Sequence, residues 1–227
     1  MFLLFKEIYA KHGTNPSSPV FPGVWQGKQS GMEKMDMNKI KAIAVSLVFF
    51  AVTACESESF KTVKIGEQTW MAENLNIEMG NSKCYDNNPA NCQKYGRLYD
   101  WNTALNVCPK GWHLPSNADW NVLMKFVNSR CSDNINCASA GKKLKAASGW
   151  SSNGNGEDSY GFSALPGGGC YSYGTFANVG NSGYWWSASE HDSDLADNRD
   201  MSYSSERVYR GYGSKDFLYS VRCVKDD

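Results

Sequence analysis

Three histidines and eight cysteines are the side chains with which this 227-residue chain could carry out nucleophilic or redox chemistry. A cysteine nucleophile works as its thiolate, and a neighbouring imidazole is a common way to produce one. His113 sits in GWHLPSNADWNVL, between Trp112 and Leu114, among residues spaced for packing and helix capping. It is therefore expected to be a buried or half-buried structural histidine. His191, in the polar run EHDSDLADNRD, is expected to be solvated, and His12 lies in an N-terminal stretch outside the mature domain. No catalytic residue is assigned, and the expectation is that the protein is not an enzyme.

Two other groupings could bind rather than react. Hard cations such as calcium need several oxygens converging from a loop. Glu190, Asp192 and Asp194, with Asp197 and Asp200 behind them, provide carboxylates in one short stretch. The spacing is not that of an EF-hand, and a solvated acidic loop is the competing reading. The segment from Tyr160 to Trp186 is rich in aromatics, which commonly anchor recognition surfaces. Tyr171, Tyr173, Phe176 and Trp186 are the candidate contacts to a glycan or protein, against ordinary packing. Trp185 and Trp186 are expected to alternate, one inward and one outward, as neighbours on a strand do.

Charge and cysteine content narrow the setting. The net charge is zero, and residues 55–227 carry 17 basic against 20 acidic side chains. No basic patch with interleaved aromatics is present, which argues against a nucleic-acid partner. Eight cysteines without zinc-type spacing point to an oxidising compartment. Near the N-terminus, Lys39 and Lys41 precede an apolar run, Ala42 to Ala54, interrupted only by Ser46 and Thr53. That run is short of the roughly 20 apolar residues a membrane span needs, and its layout is that of a secretory signal. Its end, Val52-Thr53-Ala54-Cys55, resembles a bacterial lipobox, which implies lipidation at Cys55 and cleavage just before it. The chain accordingly divides into a leader of doubtful relevance (1–36), a lipoprotein signal peptide (37–54), a tether (55–61) and one folded domain (62–227). The membrane partner is reached through the N-terminal lipid. The expected location is the bacterial envelope, at the outer membrane.

The elements that must position these groups can be read from periodicity. Thr62–Ile65 and Gln68–Met71 flank Gly66-Glu67, the signature of a hairpin with a type II′ turn. Trp101, Ala104, Leu105 and Cys108 fall at i, i+3, i+4 and i+7, one face of a helix that Pro109 ends. Ser116 and Asp119 form a capping-box-like pair ahead of the apolar stripe Trp120, Leu123, Met124 and Val127. A short third helix is expected over 142–147. A long Gly-, Ser- and Tyr-rich loop region follows, and then β-type runs at 184–189, 207–210 and 219–224. The sum is a single α+β domain.

The motifs TVKIGEQTWMAENLN, GRLYDWNTALNVCPKGWHLPSNADWNVL, ALPGG, YWWSASEHDS and YSVRCVKD, in that order, resemble the Fibrobacter succinogenes major paralogous domain. That resemblance implies a C-type-lectin-like fold, with two main helices flanking small antiparallel sheets and a long loop region for binding. It also implies that Cys108 and Cys223 pair across the domain. Cys84 with Cys92 and Cys131 with Cys137 are close enough in sequence to be local staples, leaving Cys170 unpaired. GWHLPSNADW is also similar to a signature of formylglycine-generating enzymes, but their late copper-binding cysteine pair does not carry over. The implied function is a lipid-anchored, non-enzymatic module presenting loops to a protein or glycan. A calcium-supported carbohydrate-binding module is the alternative, and a formylglycine-type or redox enzyme comes third.

Overall fold

The computed structural model describes residues 60–131 and 137–227. Cys55, the leader, the signal segment and most of the tether lie outside the described residues. In chain order the first half contains β1 (Thr62–Ile65), β2 (Gln68–Met71), β3 (Ser82–Lys83), α1 (Pro89–Tyr95), β4 (Leu98–Tyr99), α2 (Trp101–Val107), β5 (Trp112–His113) and α3 (Asn117–Val127). The second half contains α4 (Ala140–Leu144), β6 (Gly169–Cys170), β7 (Phe176–Ala177), β8 (Ser182–Glu190), β9 (Leu195–Ser202), β10 (Tyr209–Ser214), β11 (Tyr219–Ser220) and β12 (Val224–Lys225). The domain is α+β, with short helices and most of its regular structure in sheets.

β1 turns into β2 with Ile65 opposite Gln68. Gly66 has φ +64°, while Glu67 is not among the positive-φ residues, which fits a type II′ turn. β2 then pairs with β12, and β12 with β5, so the two ends of the domain share one four-stranded sheet. The Cys108–Cys223 disulfide joins the end of α2 to the residue before β12, with Cα atoms 5.9 Å apart. Closing a loop of this length contributes roughly 4–5 kcal/mol in the chain-entropy view. Cys84–Cys92 and Cys131–Cys137 form the local staples.

The second sheet runs β10-β9-β8-β11-β4-β3. Its centre is buried on both faces, so adjacent β8 residues enter different cores. Trp185 joins Trp70, Trp120 and Phe162, and Trp186 joins Tyr99, Trp101 and Tyr219. Alternation along β8 holds, but neither tryptophan faces solvent, because each is 0% exposed.

The capping box forms as its spacing requires: Ser116 Oγ accepts from the Asp119 amide and Asp119 Oδ2 accepts from the Ser116 amide. Trp120, Leu123, Met124 and Val127 are all buried. α2 differs in phase from its expected stripe. Its buried residues are Trp101, Ala104 and Val107, and Leu105 is 40% exposed. With only seven residues, about two turns, the helix has little stripe to fix its roll, and packing against the sheet selects Val107.

α4 starts and ends earlier than expected. Lys145 leaves the helix in an extended conformation and bridges Ala164, while its Nζ donates to the Ser202 and Ser205 carbonyls. The largest difference lies in β9, expected as an acidic loop. Asp197, Asn198 and Arg199 are buried there, and Asp197 and Arg199 both bond Asn117. Strand pairing on both sides and polar partners replace the apolar alternation the sequence lacks.

Candidate functional site

The open end of the six-stranded sheet is assembled by register. β8 puts Tyr184 and Trp186 on one face; β9 sets Asp200 opposite Tyr184 and Asn198 opposite Trp186. β10 continues the row, with Tyr209 opposite Asp200 and Gly211 opposite Asn198. α2 closes one end of this face. Trp101 Nε1 donates to the Ser187 carbonyl at 2.8 Å, and Trp186 Nε1 to the Tyr99 carbonyl at 2.7 Å. The Tyr184 end stays half exposed.

There the rings form a continuous chain. Tyr173 stacks on Tyr171 (5.4 Å between centroids), and Tyr171 meets Phe217 edge-on (5.2 Å). Phe217 meets Tyr219 (6.1 Å), and Tyr219 stacks on Tyr184 (4.9 Å). Such offset and edge contacts hold the rings in fixed orientations. Beside them lies a hollow of about 30 Å³ lined by Cys170, Tyr171, Asn178, Tyr184 and Tyr219. Asn178 Nδ2 donates to the Tyr184 hydroxyl at 3.0 Å at its rim.

The polar side of the site is Asn198 and Asp200. Neither side chain makes a hydrogen bond to a described residue. A Cβ at position 211 would lie 3.0 Å from Asn198 Oδ1 and 3.2 Å from Asp200 Oδ2. Gly211 thus puts no side chain over either group, leaving only a narrow slot. Burial pushes the Asp200 carboxyl up to about 6, against the opposing pull of Arg199.

Of the residues expected to contact a ligand, Tyr171 and Tyr173 lie on this strip, Tyr173 at 74% exposure. Phe176 is half-buried against Tyr85, 5.2 Å away. Trp186 is corrected: it lies under Tyr219, 4.5 Å away, and reaches no solvent. Tyr184, Phe217, Tyr219 and Asn198 were not singled out from sequence as ligand contacts, and Asp200 was named only among the carboxylates behind the cation candidates. The alternating glycines of YRGYGS, together with NRD at i and i+2 on the neighbouring strand, are the signal that could have found the slot.

The proposed cation ligands do not converge. Glu190 pairs with Lys215. Asp192 Oδ1 accepts from the Asp194 and Leu195 amides, at 2.9 and 2.8 Å, which holds its carboxyl below the ordinary range. Asp194 accepts from Ser193 Oγ. Asp197 is buried against Arg210, Asn117 and His191. Among the described residues no group of three metal-type ligands gathers.

His113 differs from expectation: it is exposed on the edge strand β5 and lies between two carboxylates, Asp226 at 2.7 Å and Asp119 at 3.4 Å. His191 is exposed as expected, stacking on Tyr212 at 4.3 Å and reaching Asp197. Cys170 is the free cysteine among the described residues; it is buried, and burial raises its thiol pKa, the opposite of what a nucleophile needs.

No helix among the described residues is long and apolar enough to cross a membrane. No curated protein and no solved structure matches the chain. The family model described as the Fibrobacter succinogenes major domain matches residues 63–225, nearly the whole of the folded part. The match takes in both halves of the Cys108–Cys223 clasp and every strand that builds the aromatic face. The chain therefore belongs to the Fibrobacter succinogenes major domain family.

Proposed function

We propose that this protein is a lipid-anchored envelope module that binds a protein or glycan and catalyses no reaction. The observation carrying this reading is the ring chain Tyr173-Tyr171-Phe217-Tyr219-Tyr184, fixed on a sheet and leading to an exposed end. Rigid aromatic area lowers the ordering cost of association, and tyrosine adds a polar tip. Two features favour binding over catalysis. Both ring nitrogens of His113 face carboxylates, and the Cys170 thiol is buried. The C-type-lectin-like reading draws support from the meeting of β1–β2 with β12 and from α2 and α3 flanking the sheets.

The anchor is the lipidated Cys55, placing the domain on the outer membrane of a bacterial envelope. Labelling cells with radioactive palmitate should mark the wild type and leave Cys55→Ser unlabelled; label retained in Cys55→Ser rejects the anchor. The binding reading is tested with a photoreactive phenylalanine analogue at position 173, and another at position 122 on the outer face of α3. In native envelopes, position 173 should crosslink a discrete component and position 122 should not. Equal crosslinking from both positions, or none from 173, rejects it.

A further inference from the structure

The aromatic strip does not end on a plain surface. Where Tyr184 emerges, β9 presents Asn198 and Asp200 side by side on the same face, and Gly211 on the edge strand places no side chain over them. Asn198 can both accept and donate, and Asp200 accepts. Neither is used by the fold: no described residue bonds their side chains, although Asn198 is 3% exposed. Both side chains keep a little solvent-facing surface and have no partner among the described residues, so a ligand donating to them would take the place of water there.

The ligand chemistry follows from what surrounds the slot. It must donate hydrogen bonds at two adjacent points and lay an apolar face on fixed rings. It must also fit a protruding group into the hollow beside Tyr184 and Asn178, whose 30 Å³ suits a hydroxyl or hydroxymethyl group. Arg199, the preceding residue on the strand, partly offsets the Asp200 carboxylate, and a neutral polyol can be held there by hydrogen bonds without a counter-charge. We propose that the open end of the six-stranded sheet is a metal-independent saccharide site. A neutral sugar ring would pack against Tyr184, which stands opposite Asp200 in register, and its hydroxyls would bond Asn198 and Asp200. This deepens the binding reading above and rests on it.

Tyr212 provides an internal control. It is 60% exposed but stands opposite Asp197, so it lies on the other face of the sheet from Gly211. The test is calorimetric titration of the full chain carrying Cys55→Ser with cellohexaose, xylohexaose, mannohexaose and chitohexaose, each with and without EDTA. At least one should bind. Gly211→Val, which fills the slot with a residue suited to a strand, should weaken that binding about tenfold or more. Tyr184→Ala should do the same, and Tyr212→Ala should leave it unchanged. Circular dichroism screens each variant for folding, and Gly211→Ala substitutes if valine prevents it.

Binding of none of the four sugars overturns the proposal. So does binding that a folded Gly211 variant leaves unchanged, or binding abolished by EDTA. Preferential binding of Nα-acetyl-lysine methylamide would replace the sugar with a cation. If sugars fail while position 173 still crosslinks an envelope component, the saccharide assignment falls and the binding reading stands.

Discussion

Asn74 and Arg222, 148 residues apart, form the polar centre of the domain: Asn74 Oδ1 accepts from Arg222 Nε at 3.1 Å and Nη2 at 2.7 Å. The same oxygen accepts from Trp185 Nε1 at 2.8 Å, and Asn74 Nδ2 donates to the Tyr95 carbonyl at 2.9 Å. Arg222 is 0% exposed, bonds the Phe162 carbonyl and lies 4.3 Å over the Phe162 ring. One asparagine thus ties the segment after β2 to α1, β8 and the C-terminal segment. Both residues lie in motifs, AENLN and YSVRC, that say nothing of this contact when read separately.

Asn74→Ala should therefore be severe. It leaves a buried guanidinium without two of its bonds and an indole without its acceptor. Removing one partner of a buried charged network costs about 3–5 kcal/mol. Urea unfolding should show a loss of at least about 3 kcal/mol. A loss below about 1 kcal/mol would mean that the surrounding carbonyls can hold Arg222 unaided.

Asp200 should make stability fall as pH rises. Its carboxyl is raised from 3.8 to about 6 by burial, so between these values the folded state holds a proton that the unfolded state has released. Stability from this group is full below about pH 4 and declines through pH 6, by about 2 kcal/mol once partial solvent screening is allowed for. Asp200→Asn removes that dependence. The variant should be more stable than the wild type at pH 7.5 and nearly equal to it at pH 4, measured by urea unfolding at both. A difference that does not change with pH would assign the effect to something other than ionisation.

Thiol counting separates Cys170 from the three disulfides. With Cys55→Ser in place and no reductant, Ellman's reagent should find essentially no reactive thiol in the native protein and one after denaturation in guanidinium. A native thiol that reacts quickly would contradict the buried, raised-pKa environment of Cys170.

Much of the scaffold was legible because local signals and packing agree. Gly66-Glu67 fixes its hairpin, Ser116 and Asp119 fix the start of α3, and the stripe from Trp120 to Val127 points inward. The Cys108–Cys223 pair followed from the family motifs, and closeness in sequence pointed to the other two pairs. What was not legible depends on long-range register. β9 reads as a loop because LADNRDMS has no apolar alternation, and only its neighbours make it a strand. Trp186 reads as a candidate ligand contact because nothing local says that Tyr219 covers it. The slot was missed for the same reason. Asn198 and Asp200 carry meaning only once Gly211 is known to stand opposite them, and the acidic run drew attention to Glu190, Asp192 and Asp194, which the fold uses in turns and an ion pair.

The central claim is that the open end of the six-stranded sheet is the surface this protein binds with. Its most direct test is co-sedimentation of the full chain carrying Cys55→Ser with isolated outer-membrane fragments, compared with the same chain bearing Tyr171→Ala and Tyr173→Ala. The unlipidated wild type should sediment with the fragments, and the double variant, its rings removed from an exposed loop, should stay folded and remain in solution. Equal sedimentation of the two proteins would contradict the claim.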